Sequence, residues 1–600
     1  MSNSSAVPLT TSRARLPGLH GVRALAVVLV LAYHLFPGLV PGGFIGVDVF
    51  FVVSGYLITA LLLAEHARDG GIQVGRFWRR RARRLLPVLG LVVGVSAGVA
   101  ALIGGDVLVG IGWQLAGAVT FSSNWWAIGQ GASYLDQTSP ELLRHLWSLA
   151  VEEQFYLLWP LVLLLLLALP RRRMRVAIPL TLALASATAM ALMAGNPTTS
   201  GDSASAAYFS TLTHGFGLLV GAALALARRP LALAADRAAG RIPAVVADGT
   251  ALVAGAGLVV LASVLAIDEA GAYRGGMAAV VVLTAVLLLA LDHPRGRAAG
   301  LLDRGPVGWL GERSYGLYLW HWPVIVLLSA ALPGVDRVGA TGWMLGALAL
   351  AVSVPLAAAS YRWLEQPVRR GGLAALVRPP VGSADATRPR WAAPLTTAVA
   401  GALLLAGTSA AIVRAPVESE AATAILAGQE AVDRFEQQPA PSVPPEPVIT
   451  IAPRPAPLDP PGDAMLAIGD SVMLASAPAL QERFPGILID AVVSRQMRAA
   501  PQLLREYAAA GALRPTVLLG LGTNGPIDRA TLDEVRDIIG PSRTLVLVSA
   551  QAPRDWTADV NGELTAYAMQ YRAIELADWR TAIEPQLTLL AGDQIHPGSA

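Results

Sequence analysis

Long apolar runs fill the first two thirds of the chain and are separated by short polar stretches. A helix needs about 20 consecutive, mostly apolar residues to cross a bilayer. Eleven segments approach or reach that length: 19–36, 43–64, 85–104, 146–170, 176–194, 207–227, 244–266, 277–291, 308–331, 341–362 and 392–413. Ten of them lie before residue 370 and one lies after it. The pattern therefore predicts a polytopic α-helical membrane domain of about ten spans, followed by one additional span.

Arginine clusters predict which ends of the spans face the cytoplasm. They follow the second, fourth, sixth, eighth and tenth spans, at 76–84, 171–175, 228–229, 295–297 and 369–378. Because positively charged loops stay in the cytoplasm, the N-terminus with Arg13 and Arg15 is predicted to be cytoplasmic. Everything after about Arg414 is then predicted to lie outside. If the apolar stretch 107–123 crossed the membrane, the arginine cluster at 171–175 would lie outside the cytoplasm. The stretch is therefore predicted to be a re-entrant or interfacial element.

The hydrophobic pattern changes after Arg414. The stretch from Pro439 to Pro461 is too rich in proline to fold and is typical of a semi-rigid extended linker. Beyond it, short β-like runs (465–468, 487–493, 516–521 and 544–549) alternate with helical patterns, which is typical of a parallel sheet flanked by helices. The predicted domains are a membrane domain (1–370), a cytoplasmic loop and further span (371–414), a linker (415–462) and a soluble, extracytoplasmic, three-layer α/β domain (463–600).

Composition supports the membrane assignment and narrows the chemistry. Hydrophobic residues make up 54% of the 600 residues and charged residues 14%, against roughly a quarter charged in soluble proteins. Every basic side chain is arginine, and the arginines cluster beside apolar runs, which indicates membrane topology and not a nucleic-acid partner. The chain has no cysteine, so disulfides, thiolate catalysis and cysteine metal sites are excluded.

Ionisable residues inside the predicted spans are functional candidates, because charge is costly within a bilayer. The first span contains Arg23 and His34, and Asp48 opens the second span. Since the chain returns there, Asp48 is placed to approach His34, and a histidine paired with a carboxylate is the usual form of an oriented general base. The alternative is that these groups pair only to join the helices.

Several blocks of the first 370 residues resemble the acyltransferase-3 family of membrane proteins. They read GVRALAVVLVLAYH, GFIGVDVFFVVSGYLIT, FWRRRARRLLP, HLWSLAVEEQFYLLWP, ERSYGLYLWHWPV and YRWLEQPVRR, in the order of the family. The resemblance implies that His34 is the membrane-embedded base or acyl acceptor, supported by Arg23. It also implies that Arg81 and Arg84 bind the acyl-CoA donor, and guanidinium groups are well suited to phosphate oxygens.

Other family blocks add candidates and one departure. Glu152 and Glu153 lie in the HLWSLAVEEQFY block, and His321 lies between two tryptophans in the LYLWHWP block. Family members commonly carry an arginine and a glutamate in a further block, where this chain has His214 and Gly217. The departure leaves the role of that pair open.

Three short motifs of the C-terminal domain suggest a serine nucleophile with its partners. Ser471 lies in a Gly-Asp-Ser turn after a predicted strand, where helix-end N–H groups stabilise developing negative charge. Asp593 precedes His596 by three residues, so one loop can supply a base and its orienting carboxylate. Asn524 follows another strand in a Gly-Thr-Asn turn and is a candidate oxyanion donor.

In that order, these motifs resemble the SGNH hydrolase family. The resemblance implies that Ser471 is the nucleophile, His596 the general base and Asp593 the residue that orients it. The family's second block normally supplies a glycine N–H, and here Ser494 stands at that place. The contribution of this loop to an oxyanion hole is therefore left open.

Together, the two resemblances predict a multi-pass O-acyltransferase of the bacterial inner membrane. Acyl-CoA, by resemblance acetyl-CoA, is expected to donate on the arginine-rich side, and Ser471 to pass the acyl group to a hydroxyl of an envelope polysaccharide or glycolipid. No metal requirement is expected. Two alternatives remain: an extracytoplasmic acetyl esterase on a membrane anchor, and a glycolipid transporter with a glycan-binding module.

Overall fold

The computed structural model describes residues 17–36, 38–132, 141–195, 201–238, 243–332, 335, 339–377, 392–437, 460–554 and 556–598. Arg13, Arg15, Arg378 and most of the proline-rich stretch from Pro439 lie outside these ranges. The chain divides into two compact units. The first contains Met1–Leu328 and Gly342–Ala415, and the second contains Ser329–Thr341 and Pro416–Ala600.

The first unit is helical, and each of the eleven predicted spans overlaps a long helix. These helices are α1 (Leu19–Leu35), α2 (Gly46–Asp69), α3 (Val74–Ile103), α4 (Leu146–Ala168), α5 (Arg172–Met193), α6 (Phe216–Ala238), α7 (Ala244–Val264), α8 (Met277–Leu291), α9 (Gly305–Ala331), α10 (Gly339–Ser360) and α11 (Ala392–Arg414). Among the described residues, eight helices are long and apolar enough to cross a membrane. The prediction of a polytopic α-helical membrane domain is confirmed.

Two regions of this unit differ from regular spans. The predicted continuous span 207–227 is wrong, because the helix breaks at Ser210 and at Gly215 before α6 begins. Ser210 has extended backbone angles, and its hydroxyl oxygen accepts from the N–H of Leu212, which starts a separate short turn. The region 107–123 contains a ten-residue helix, Ile111–Thr120, followed by the seven-residue helix Ser123–Gly129. Both are too short to cross a bilayer.

The second unit is built on a five-stranded parallel sheet. The strands are β1 (Met465–Gly469), β2 (Leu488–Ala491), β3 (Thr516–Gly520), β4 (Thr544–Val548) and β5 (Ile574–Ala577), in the spatial order β2-β1-β3-β4-β5. Each of the first four falls within or beside a β-like run of the sequence, whereas β5 was not predicted. The strand order reverses between β1 and β3, and ligands of such sheets bind at the carboxyl ends of the strands at that point.

Helices cover both faces of the sheet and complete a three-layer domain. Alternate residues of β1 lie in two separate hydrophobic cores. Leu466 and Ile468 belong to one core, and Met465 and Ala467 belong to the other. This alternation follows from the two-residue repeat of a strand. The helices after α11 are α12 (Glu420–Glu436), α13 (Ser471–Ala475), α14 (Ala477–Arg483), α15 (Ala500–Ala509), α16 (Arg529–Ile539), α17 (Thr557–Gln570) and α18 (Trp579–Ile583).

The predicted linker 415–462 differs from the structure over α12. Val432 of this helix lies in the core that contains Met473 and Leu474, and Ile425 packs against it. Burial of these apolar side chains favours the docked helix over an extended linker. The second unit therefore includes α12, ahead of the predicted domain start at residue 463.

Because α12 packs closely on the α/β domain, any side chain at Gly428 is predicted to lower the stability of the second unit. A methyl carbon added there would lie 1.8 Å from the carbonyl oxygen of Leu474 on α13. We expect Gly428→Ala to destabilise the second unit by about 1–3 kcal/mol, because the two backbones must separate. Thermal unfolding of the full-length protein in detergent would measure the change as a lower Tm.

Gly562→Ala is the matched control for this prediction. It lies inside α17, and an added methyl carbon there meets no atom within 4 Å. Because alanine favours a helix by about 1 kcal/mol over glycine, this variant should be neutral or slightly more stable. Equal Tm values for the two variants would contradict the close contact at Gly428.

Candidate functional site

Ser471, His596 and Asp593 are hydrogen-bonded in series. Ser471 is the first residue of α13, directly beyond the carboxyl end of β1, and its Oγ lies 2.8 Å from His596 Nε2. His596 Nδ1 lies 2.5 Å from Asp593 Oδ2. Since a carboxylate only accepts hydrogen bonds, Nδ1 carries the proton and Nε2 is left to accept from the serine hydroxyl. This arrangement can activate a serine for attack on an ester or acyl carbonyl.

The loop that contains Asp593 and His596 fixes the carboxylate from two sides. The backbone N–H groups of Ile595 and His596 donate to Asp593 Oδ1 at 2.9 and 3.0 Å. Gln594, between Asp593 and Ile595, adopts a positive φ of 59°, a conformation that L residues rarely take. Asp593 is 5% exposed, so its charge-assisted hydrogen bonds are shielded from water.

Asn524 lies near Ser471 but its amide group is already engaged. Its Nδ2 donates to Asp470 Oδ2 at 3.2 Å and to the carbonyl oxygen of Arg495 at 3.3 Å. Asp470 precedes the serine, and its Oδ1 accepts from the N–H of Val472 at the start of α13. Burial raises the pKa of the Asp470 carboxyl, while the hydrogen bond from Val472 opposes this shift. To bind an oxyanion, Asn524 would have to exchange one of these partners.

The backbone of the loop after β2 explains why the SGNH hydrolase family usually has a glycine where this chain has Ser494. Ser494 has a φ of 64°, in the left-handed region that glycine enters without steric cost. The neighbouring Arg495 donates to the carbonyl oxygen of Asp490 at 2.6 Å and to its Oδ1 at 2.7 Å. These bonds attach the loop to β2, so a non-glycine residue is retained in this conformation.

In the first unit, a cavity of about 90 Å³ brings four sequence candidates together. Arg23 from α1, Arg81 and Arg84 from α3 and Glu152 from α4 line its wall. Glu152 accepts from the hydroxyl groups of Ser54 and Tyr156, each at 3.0 Å. The three guanidinium groups give this part of a membrane domain a concentration of positive charge that suits an anionic ligand.

Two glutamates near this cavity differ in environment. Glu153 has Oε1 buried without a hydrogen-bond partner among the described residues, and it is not in the cavity wall. Glu365, which sequence reasoning did not single out, lies in a π-helical turn and is 4% exposed. Arg84 and Arg23 interact with it electrostatically, and π-helical turns are frequent at functional sites. The YRWLEQPVRR block contained the signal for this residue.

His34 pairs with His321, and the pairing fixes the tautomers of both rings. His321 Nδ1 lies 2.6 Å from the carbonyl oxygen of Tyr318, so this nitrogen carries a proton. In the neutral ring, His321 Nε2 therefore accepts from His34 Nδ1, 3.1 Å away. The second nitrogen of His34, Nε2, is then left unprotonated, which is the form required of a base or nucleophile.

Residues that the sequence analysis passed over surround this histidine pair. The Arg144 guanidinium lies 4.7 Å from the ring centre of Trp322, and that ring lies 4.8 Å from His34. The His145 ring lies 6.0 Å from His321. His145 opens the HLWS block that resembles the family and Arg144 directly precedes it, so this place in the sequence was the available signal.

The expected approach of Asp48 to His34 is wrong. Asp48 Oδ1 lies 3.1 Å from His214 Nε2, and His214 Nδ1 lies 2.7 Å from the carbonyl oxygen of Tyr208. Asp48 and His214 are both 0% exposed. Asp48 lies in the first turn of α2, on the side that packs against α6. It therefore contacts His214, which occupies the position of the family's arginine. At Gly217, an added methyl carbon would lie 3.0 Å from Phe51 Cβ, so the site has little room for a longer side chain.

A family model described as an acyltransferase domain (acyltransferase 3) matches residues 16–362. The chain belongs to the acyltransferase-3 family. The match covers more than half of the chain and ends just after α10, which agrees with the resemblance in the first 370 residues. Within the described ranges, no cluster of three or more histidine, aspartate or glutamate residues is placed to bind a metal ion.

Relatives of this family member are similar over nearly the whole chain. The peptidoglycan O-acetyltransferase OatA of Listeria monocytogenes is 30% identical over 637 residues, which cover 98% of this chain and 96% of the relative. The O-acetyltransferase OatA of Staphylococcus aureus is 31% identical over 589 residues, or 97% and 93% of the two chains.

A solved structure matches the C-terminal part. It is the C-terminal catalytic domain of the Streptococcus pneumoniae peptidoglycan O-acetyltransferase A (OatA) with a methylsulfonyl adduct. The match has 26% identity and a TM-score of 0.22, and covers 23% of this chain and 80% of that chain.

Proposed function

We propose that the protein is a membrane O-acetyltransferase that moves acetyl groups from cytoplasmic acetyl-CoA to hydroxyl groups of peptidoglycan. The observation that carries the proposal is the hydrogen-bonded series Asp593–His596–Ser471, in the same chain as a membrane cavity lined by three arginines. The names of the Listeria and Staphylococcus relatives support acetyl as the group, and the Listeria name supports peptidoglycan as the acceptor.

The donor half of the reaction is assigned to the membrane unit. Arg81 and Arg84 bind the phosphate oxygens of acetyl-CoA, with Arg23 and Glu152 completing the cavity. The unprotonated Nε2 of His34 either accepts the acetyl group, with the C–S bond breaking and CoA leaving as its thiolate, or accepts a proton during the transfer across the bilayer. The arginine-rich loops support this direction, because they predict a cytoplasmic N-terminus and an extracytoplasmic C-terminal domain in a bacterial cell.

The acceptor half of the reaction takes place at Ser471. Its Oγ attacks the carbonyl carbon of the incoming acetyl group while His596 Nε2 removes the hydroxyl proton and passes it to the leaving group. An acetyl ester of Ser471 remains. A sugar hydroxyl then attacks this ester, His596 removes its proton, and the proton returns to Ser471 Oγ as the acetylated glycan leaves.

The two alternative functions each leave part of the molecule unused. An esterase on a membrane anchor has no need for the arginine cavity or for the oriented His34–His321 pair. A glycolipid transporter with a glycan-binding module has no need for a serine within 2.8 Å of a histidine base. Acetyl transfer uses all three features.

The acyl-enzyme is the most direct test of the proposed function. We expect full-length protein in lipid nanodiscs, incubated with isotopically labelled acetyl-CoA and quenched with acid, to carry the label on Ser471. Peptide mass spectrometry would locate it, and addition of peptidoglycan fragments should remove it as labelled glycan appears.

The same preparation separates the alternatives. An unlabelled Ser471 in protein that still hydrolyses p-nitrophenyl acetate would contradict the proposal and favour the esterase. Movement of a glycolipid between leaflets with neither labelling nor ester hydrolysis would favour the transporter. Ser476→Ala is a matched control, because this serine donates to the carbonyl oxygen of Val472 and takes no part in the series. It should still be labelled on Ser471.

A further inference from the structure

Tyr318 of α9 contacts both functional regions of the membrane unit. Its side chain lines the arginine cavity together with Phe50, and these two rings are 6.3 Å apart. The same ring lies 5.4 Å from His321, the partner of His34. Neither His34 nor His321 is in the cavity wall. The phenol of Tyr318 therefore forms part of the wall between the arginine cavity and the histidine pair.

Hydrogen bonds fix this phenol in place. Its hydroxyl donates to the carbonyl oxygen of His145 at 2.8 Å, since a carbonyl can only accept. Its oxygen is then free to accept from the hydroxyl of Ser148, 2.6 Å away, and Ser148 also lines the cavity. The proton of each hydroxyl has a partner, so the network holds the ring of Tyr318 in one position.

The cavity beside this ring is small. Its volume is about 90 Å³, whereas a cavity that binds benzene in a protein core has roughly 150 Å³. Besides the charged groups, serines and tyrosines, apolar side chains line the cavity, with Phe50, Leu57 and Ile58 among them. Because the arginines of this cavity are assigned to the phosphates of the donor, an acyl group beside Tyr318 has little room, and each further methylene approaches this ring.

We propose that the aromatic ring of Tyr318 determines the length of the acyl chain that the enzyme accepts. The inference rests on the proposed use of acyl-CoA and adds the specificity of that same site. Acetyl fits beside the phenol, while the two further methylenes of butyryl meet the ring. Removing the ring enlarges the cavity on the side of His321 and makes room for a longer chain.

The test compares donors in one reaction. Full-length protein in nanodiscs receives acetyl-CoA and butyryl-CoA with peptidoglycan fragments, and the ratio of kcat/KM for the two donors is measured. For Tyr318→Ala we expect the butyryl-to-acetyl ratio to rise at least about tenfold, the usual discrimination for a small change of chain length in an apolar pocket. Tyr318→Phe and Ser148→Ala keep the ring, so their ratios should stay within about threefold of the wild type.

The outcomes distinguish this inference from the proposed function. A wild-type protein that transfers from neither donor overturns the use of acyl-CoA itself. Transfer of acetyl by Tyr318→Ala with the wild-type ratio overturns the role of Tyr318 and leaves the proposed function intact. If Tyr318→Ala loses transfer from both donors, Tyr318→Leu, which keeps more apolar volume but lacks the ring, gives the same comparison.

Discussion

Ser471→Ala is expected to lower the hydrolysis of p-nitrophenyl acetate and the acetylation of peptidoglycan fragments by about 10⁴-fold or more. The Oγ that this variant lacks is the atom 2.8 Å from His596 Nε2, and the remaining histidine cannot form an acyl-enzyme. The loss should appear in kcat, because the serine bonds to substrate only as the reaction proceeds. Initial rates with purified full-length protein would measure it.

Ser476→Ala controls for the loss of a serine in the same stretch of chain. Its hydroxyl donates to the backbone of α13 at 2.8 Å, so we expect activity within about threefold of the wild type. If Ser471→Ala retained a tenth or more of the wild-type ester hydrolysis, the nucleophile would be another residue and the proposed mechanism at Ser471 would fail.

His34→Ala is expected to separate the two halves of the enzyme. We expect transfer from acetyl-CoA to peptidoglycan fragments to fall by about 10²–10⁴-fold, the usual contribution of a positioned acid–base group. Hydrolysis of p-nitrophenyl acetate should be unchanged, because it needs only Ser471, His596 and Asp593. Both rates can be measured on one preparation in nanodiscs, so a loss of folded protein would lower both and be recognised.

His66→Ala is the matched histidine control for this experiment. His66 lies in the last turn of α2 and is not in the cavity wall, so both rates should remain near those of the wild type. Equal loss of ester hydrolysis and of transfer in His34→Ala would indicate a general structural defect. Unimpaired transfer from acetyl-CoA would remove His34 from the mechanism.

The strands and the serine series show which parts of the fold local sequence can predict. The four predicted strands are present because their apolar runs are short and bounded by turns. The fifth strand, Ile574–Ala577, has a glutamate at its second position and only four residues, so its pattern is too weak to recognise. Asp593 and His596 share one loop, so their spacing alone brought base and carboxylate together.

The interruption before α6 and the docking of α12 show what local sequence leaves open. The apolar run 207–227 is long enough to span, and the breaks at Ser210 and Gly215 divide it into shorter helices. Val432 of α12 lies in a core of the folded α/β domain, and Ile425 packs against it. Because the sequence does not show that packing surface, the segment was predicted to belong to the linker together with the proline-rich stretch that follows it.

The sequence by itself determined the type of most elements, the order of the domains and the identity of most candidate residues. These depend on hydropathy, strand and helix periodicity and short spacings, which are local properties of the chain. Only the tertiary structure decided the pairings. His34 meets His321 across 287 positions, Asp48 meets His214 across 166, and Tyr318 meets Ser148 across 170. Which faces of two helices pack together depends on the whole set of side chains at their crossing, and no local pattern records it.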